Sequence, residues 1–234
     1  MSSGKKTLLV IATILVIGGG AISFGAFAAA GVNFENLSTE SRNWTSSTKT
    51  FAPETENPHT AIVLRDMGED VRIEPTDGDA IEVTYWTNER KSFDVDDNGG
   101  TVTVEGSREP AIDIMMIGSF EDHSTVLKVP RSYTGSLTVE TSSGSIDVAD
   151  LDGLGSVALS ANSGYVSAMR VSAGSVDLKT SSGNIVAVGV EAEAFSARAS
   201  SGSLSFDDVE ASSFEARTSS GDQSLGDVRA NTLS

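Results

Sequence analysis

Hydrophobic and polar positions follow three different patterns along this chain. Residues 7–32 are uncharged and mostly apolar, residues 33–58 are polar without a sustained apolar period, and from Ala61 onward apolar residues tend to occupy every second position. A long uncharged apolar run predicts a membrane-spanning helix, whereas a period of two predicts β-strands with one buried face. The pattern therefore predicts an all-β protein that follows an N-terminal transmembrane helix.

A triplet of Ser or Asn, then Ser, then Gly recurs through the second half of the chain. Its glycines are 20, 19, 19 and 19 residues apart, at Gly144, Gly164, Gly183, Gly202 and Gly221. Apolar residues stand seven and five positions before each glycine and two, four and seven positions after it, with Gln223 as the one polar exception. One repeat cannot bury such a face alone, but stacked repeats share a core and pair their backbones about 4.8 Å apart. We predict a right-handed β-solenoid of about five 19-residue coils, in which glycine supplies the backbone freedom for each corner.

Residues 59–133 also alternate, but they lack the repeat. Turn residues Asp77-Gly78 and the run 96–100 each separate two short alternating stretches, and a further strand ends at Pro130. Such turns predict a β-hairpin-rich region that leads into the solenoid. The stretch 111–117 is more apolar than one strand face needs, so it is either a buried edge or a contact surface.

These patterns divide the chain into four parts. They are a cytoplasmic stub and transmembrane anchor (1–31), a Ser/Thr/Asn/Glu-rich linker (32–58), an N-terminal β region (59–133) and the β-solenoid repeat region (134–234). Lys5 and Lys6 precede the apolar run, and positive residues stay on the cytoplasmic side, so we expect a single-pass protein of the cell membrane whose C-terminal part is extracellular. A cleaved signal peptide is the alternative, and it implies the same direction of export.

The linker carries two candidate sites for N-glycosylation. Asn36-Leu37-Ser38 and Asn43-Trp44-Thr45 both match the acceptor triplet. In an extracellular linker, Asn36 and Asn43 would both be candidates for modification.

Charge and composition limit the environments and the classes of partner that suit this chain. The formal net charge is −17, and the carboxylates are dispersed from Glu35 to Asp227. This balance argues against nucleic-acid binding, which needs a basic surface. Dispersed carboxylates with few lysines are typical of a halophilic protein, and an ordinary acidic extracellular domain is the alternative. The chain has no cysteine, so neither disulfides nor thiolate metal sites are available to it.

Outward columns of the repeat offer the best candidates for binding, because folding does not dictate them. Lys179, Arg198 and Arg217 all stand four residues before a glycine. This cationic stack is a possible binding face for anionic sugars, and local pairing with carboxylates such as Glu215 is the alternative. Met169, Val186 and Val188 form a small outward apolar patch that we expect to meet the N-terminal β region.

The sequence offers little for catalysis. It has two histidines, far apart at His59 and His123, and it lacks phosphate-binding, dinucleotide-binding and nucleophile-elbow motifs. We expect no enzymatic activity, no cofactor and no metal. A carbohydrate-active enzyme of the β-helix type is the alternative, with Asp207 and Asp208 as its candidate carboxylates.

Several segments resemble the putative-adhesin β-strand-repeat family, whose function is unknown. They are VRIEP at 71–75, TVTV at 101–104, and Val129-Pro130 leading into LTVETSSGSI at 137–146. The resemblance covers residues 60 to 230 and implies a non-catalytic surface module without catalytic residues to transfer. We expect partners among envelope proteins, glycans or further copies of the chain. An envelope sensor that acts through a membrane partner is a further alternative.

Overall fold

The computed structural model describes residues 43–53, 58–109 and 122–233, and these residues form fourteen β-strands. Within these three ranges there is no helix that is long and apolar enough to span a membrane. The predicted anchor, Asn36 and the apolar stretch 111–117 lie outside the described residues. The chain is all-β over the part that is described, as its alternation predicts.

The strands fall into a group before the repeat and a group within it. The first group is β1 (Thr45–Phe51), β2 (Ala61–Asp66), β3 (Val71–Thr76), β4 (Ile81–Thr87), β5 (Lys91–Asn98), β6 (Thr101–Arg108) and β7 (Thr125–Pro130). The second group is β8 (Ser136–Thr141), β9 (Ile146–Ala161), β10 (Val166–Thr180), β11 (Ile185–Ser201), β12 (Leu204–Ser220), β13 (Gln223–Leu225) and β14 (Val228–Leu233). Strands β10 to β12 bend at a corner where Arg170, Gly189 and Asp208 drop out of the pairing, and the strands then continue in the same register.

The repeat forms a β-solenoid, which confirms the predicted stacking of about five 19-residue coils. Strands β10 and β11 pair in parallel with Val166 opposite Ile185 and Val176 opposite Phe195, and β12 continues the same register. Each residue thus faces the residue one repeat further along the chain. The first spacing is one residue longer, and a register shift between Leu151 and Leu154 absorbs the extra residue where Gly153 adopts a φ of 72°.

The predicted apolar columns form the core. In the first four coils every member of the five columns is buried, and the largest side chains include Phe195, Phe206 and Phe214. The rings of Phe195 and Phe214 stack 5.1 Å apart with Phe206 edge-on to both. Alanine stands two residues after Phe195 and Phe214, where earlier coils carry Val or Leu. This exchange keeps the core volume nearly constant, which is how close-packed cores tolerate substitution.

The parallel ladder begins before the repeat. Strand β2 pairs in parallel with β8 on one side and β6 on the other, while β3 lies between β9 and β7 in the same way. Buried residues from 59–133 and from 134–234 belong to one continuous hydrophobic core. The coils do not stack in chain order. The coil formed by β2 and β3 lies in the middle, with the coil of β6 and β7 on one side and the first coil of the repeat on the other.

The two predicted hairpins have different outcomes. The turn within 96–100 is a hairpin, because Asn98 faces Thr101 across Gly99 and Gly100, which have φ values of 61° and 81°. The expectation at Asp77-Gly78 is wrong: β7 lies between β3 and β4, pairing in parallel with the first and antiparallel with the second. A local turn signal does not reveal that a strand beginning only at Thr125 takes the central place.

Part of the predicted linker is folded. Strand β1, Thr45–Phe51, pairs antiparallel with β4 from Thr45 opposite Thr87 to Phe51 opposite Ile81. Its side chains are mostly exposed, so its stability comes from the backbone ladder and from contacts at its ends, including Trp44 stacked on His123 at 4.2 Å. The prediction of a spacer throughout 32–58 is therefore wrong for this segment, because an edge strand needs no apolar period.

The repeated glycines are required for a reason that differs from the one we expected. The first four, from Gly144 to Gly202, have no positive φ. A Cβ atom at Gly164, Gly183 or Gly202 would lie 1.9, 2.0 or 1.7 Å from the carbonyl oxygen of the preceding glycine in the stack. Glycine is thus needed for close approach of stacked corners rather than for an unusual dihedral angle.

Candidate binding face

The face of the solenoid that precedes each glycine corner carries the predicted cationic stack. Lys179 lies opposite Arg198, and Arg198 lies opposite Arg217, on neighbouring strands. Two residues earlier on these strands, Asp177 and Glu215 project to the same side because side chains alternate along a strand. We call the surface formed by these five residues the ladder face.

Two carboxylates pair with the three stacked cations within the ladder face. Glu215 lies between two arginines, 2.8 Å from Arg198 Nη2 and 2.9 Å from Arg217 Nε. Asp177 accepts a hydrogen bond from Lys179 Nζ and lies 3.6 Å from Arg198 Nη1. The alternative of local pairing with Glu215 is therefore what the structure shows.

Pairing does not remove these cations from solvent. The side chains of Lys179, Arg198 and Arg217 are 49, 43 and 69% exposed. Exposed ion pairs contribute about 0–1 kcal/mol each, so a ligand that offers a better anion can displace the internal carboxylate at little cost. The ladder face therefore offers a row of exchangeable cations spaced by the strand separation.

The same face changes character toward the other end of the stack. Arg65 Nη1 lies 2.8 Å from Glu105 and its Nε lies 3.1 Å from Glu140, in the register that the ladder sets. The hydrogen bonds that Arg65 donates to Glu140 and Glu105 raise the pKa of Arg65. Here one cation is held between two carboxylates, whereas the ladder face holds three cations beside two carboxylates.

The face after the glycine corner is less charged. Tyr165 donates a hydrogen bond to Asp147 over 2.8 Å, and this bond, with partial burial, raises the pKa of Tyr165 to about 12. The patch of Met169, Val186 and Val188 lies on this face, and Met169 is 37% exposed beside Val188. The N-terminal β region does not cover Met169 in the described residues, contrary to our expectation.

A second corner of each coil was not foreseen from sequence. Asp150, Arg170 and Asp208 adopt φ values of 59°, 54° and 53°, and Gly189 occupies the same position in its coil with 63°. The left-handed conformation is costly for most residues but less so for Asp. Arg170 donates hydrogen bonds to Asp150, which lower the pKa of that carboxyl. The mixture of residue types at this position conceals the corner in the sequence.

A shallow groove of about 540 Å³ follows this second corner. Its floor is a column of alanines, and its walls carry carboxylates from two outward columns. Its lining includes Ala173, Ala192, Ala211, Glu191, Glu193, Glu210 and Arg229. The columns predicted from the sequence do not include these alanines, and periodicity does not reveal the concave shape that the corner produces.

The family model for Toastrack DUF4097 matches residues 59–234. The chain belongs to the Toastrack DUF4097 family. The match spans the N-terminal β region and every coil of the repeat. It confirms the resemblance that the repeated strand segments suggested, in a family whose function is not established.

Several solved structures are similar to this Toastrack chain at low sequence identity. A "putative cell adhesion protein" from Clostridium sporogenes is 7% identical, with a TM-score of 0.48 over 81% of this chain and 100% of the other. "Putative adhesins" from Parabacteroides merdae and Bacteroides fragilis are each 12% identical, with TM-scores of 0.35, and cover 82 and 81% of this chain and 98 and 95% of their own. No curated protein matches the chain. Similarity at this level carries no argument about function.

The residues considered for catalysis or metal binding do not come together in one site in the Toastrack fold. Asp208 lies at the left-handed corner, while Asp207 faces Val188 across the ladder. His59 contacts Asp97 at 2.8 Å, and His123 lies against Trp44 and Trp86. Among the residues that the structure describes, no group of three or more potential ligands could hold a metal ion.

Proposed function

We propose that this chain is a non-catalytic, adhesin-like module, tethered to the cell membrane by its N-terminal helix, whose ladder face binds anionic glycans of the cell envelope. The observation that carries the proposal is the exposed row of Lys179, Arg198 and Arg217 on adjacent parallel strands. A polymer with one anionic group per sugar unit can engage several members of such a row at once.

The charge arrangement favours a ligand of this kind. Arginine binds carboxylate or sulfate groups through two parallel hydrogen bonds, so Arg198 and Arg217 can exchange Glu215 for a ligand anion without losing a charged partner. Each exchange alone yields little free energy, since the internal pair is lost. Linked exchanges reinforce each other through high effective concentration, which makes binding depend on polymer length.

The test measures binding of the full-length protein in detergent micelles to immobilised uronic-acid polysaccharides of graded length. We expect affinity to rise with length and to fall at least about tenfold, or about 1.4 kcal/mol, in the triple variant K179Q/R198Q/R217Q. The matched control is R72Q/R131Q/R170Q, which removes three exposed, paired arginines from elsewhere and changes the net charge equally. Equal losses in both variants would show only a non-specific charge effect and would refute a binding site on the ladder face.

The outward placement is tested separately. Protease added to intact cells should remove the chain beyond residue 31, and protection of the folded part would contradict the proposed topology.

The enzyme alternative predicts turnover of a polysaccharide by the full chain that is lost in D207N/D208N. We expect no turnover, and activity that disappears in this variant would replace the proposal with the enzyme.

A further inference from the structure

The C-terminal end of the stack presents unpaired strand edges. Strands β13 and β14 pair with β12 on one side, and the segment 215–220 of β12 pairs with β11 on one side. Across the described ranges, no strand covers the other side of these three segments, which we call the open end. Their outward backbone N–H and C=O groups can therefore pair with an added strand.

Apolar side chains accompany this free edge. Leu225 lies opposite Phe206 and Leu233 opposite Phe214, so both leucines continue core columns. The two phenylalanines are 1% exposed, whereas Leu225 is 49% and Leu233 is 64% exposed. The leucines are exposed because no further coil covers them in the described residues, and covering them would bury apolar surface that favours association.

Charge distinguishes the open end from the opposite end of the stack. Residues 213–233 contain two arginines and three acidic residues, so both signs of charge are present with a net charge of −1. Two copies can therefore place opposite charges against each other at this end. At the opposite end of the stack, the edge strand β5 has Asp94, Asp96 and Asp97 within eight residues, which is the usual means of preventing edge pairing.

We propose that the open end pairs edge to edge with the open end of a second copy to form a two-fold dimer. A two-fold interface must be self-complementary. The open end meets this requirement in charge, because Arg217 lies beside Glu215 and Arg229 beside Asp227, so a two-fold axis can set the cations of one copy against the carboxylates of the other. The proposal does not depend on a ligand of the ladder face, although the open end includes Glu215 and Arg217 of that face.

The experiment uses the absence of native cysteine. Single substitutions S220C, S224C and N231C place one thiol on each of the three segments of the open end, and M169C places one on the exposed side face. Mild oxidation of the full-length protein in detergent micelles should give a disulfide-linked dimer at least about tenfold faster for one open-end variant than for M169C. Adding L225K and L233K to that variant should abolish the difference, while circular dichroism shows an unchanged fold.

The outcomes separate the open end from other sources of association. The anchor region is present in every variant, so dimerisation through that region would link all of them equally and would overturn the proposal. Rates at the open end no higher than for M169C, or crosslinking that survives both lysine substitutions, would overturn it as well.

Discussion

The two ends of this solenoid differ in whether their terminal parallel strands are covered by further strands. At the N-terminal end, the outermost parallel strands β6 and β7 are each covered by an antiparallel strand, β5 and β4, and β1 covers β4. At the C-terminal end the last strands of the repeat are exposed. A repeat supplies the partner for its neighbour, so it cannot supply its own terminus, and a closed end requires sequence that departs from the repeat.

We call the N-terminal end, where β5 and β4 cover β6 and β7, the closed end. A buried ion pair also holds its strands together. Lys91 on β5 lies 3.0 Å from Asp66 on β2, and both are almost inaccessible to solvent. Thr125 on β7 donates a further hydrogen bond to Asp66 over 2.8 Å. Three strands that are distant in sequence thus meet at one carboxylate, which favours this arrangement of non-repeating strands over alternative registers. No comparable pair is found among the described residues of the open end.

The largest predicted contrast is between the middle of the stack and its open end. Val190 and Val228 occupy the same column, but Val190 is fully buried and Val228 only partly. We expect Val190→Asp to reduce the free energy of unfolding by about 4–5 kcal/mol, because a carboxylate enters the core without a partner, and Val228→Asp by less than about 1.5 kcal/mol. Denaturant titration of both variants provides the measurement.

Val188→Asp is the matched control for the register. Val188 is half-buried on the outer face and lies opposite Asp207 on the next strand. We expect it to be tolerated, because a shift of one residue along a strand exchanges its faces. Equal losses for positions 188 and 190 would contradict the face assignment.

The next contrast compares buried and exposed ion pairs. Lys91→Met leaves the Asp66 carboxylate buried without its cation, and such a loss costs about 3–5 kcal/mol. Lys179→Met removes an exposed pair with Asp177 and should cost less than about 1 kcal/mol. Thermal unfolding at fixed pH compares them, and similar shifts in Tm would show that the closed end does not depend on this pair. The double variant D66N/K91M should lose less than Lys91→Met alone.

Where sequence predicts this fold well, it does so through repetition. Five aligned copies identify the inward columns, and Val190 or Phe195 is placed by its column rather than by its neighbours. The closed end occurs once, so nothing in the sequence indicates that β7 enters between β3 and β4 or that Lys91 lies beside Asp66. Similarly, the column of cations locates the ladder face, but the position of Glu215 between two arginines depends on side-chain geometry that periodicity does not provide.

A smaller effect tests why glycine is required at the first corner. Gly183→Ala places a Cβ 2.0 Å from the Gly164 carbonyl oxygen, so the stacked coils must separate. We expect a loss of about 2–3 kcal/mol, as for overpacked cores. Gly189→Ala meets nothing closer than 3.5 Å but must retain a φ of 63°, which costs about 1–2 kcal/mol. Differential scanning calorimetry can rank the pair, and a larger loss at Gly189 would restore the dihedral explanation.

The smallest predicted effect is a pH dependence at the closed end. Asp122, just before β7, accepts hydrogen bonds from Ser124 and Arg72, which lower its pKa from 3.8 to about 2. The resulting stabilisation is present above pH 3.8 and is lost as the pH falls toward 2, since the folded state must then bind the proton that the unfolded state already holds. Because this carboxylate is 56% exposed, we expect Asp122→Asn to cost less than about 1 kcal/mol at neutral pH and almost nothing at the acidic limit. Urea titrations at several pH values measure the difference in free energy of unfolding between the wild-type chain and Asp122→Asn, which should become smaller as the pH falls.

Asp227→Asn, beside Arg229 at the open end, provides the comparison. A difference that stays constant with pH for Asp122→Asn would contradict the assigned hydrogen bonds.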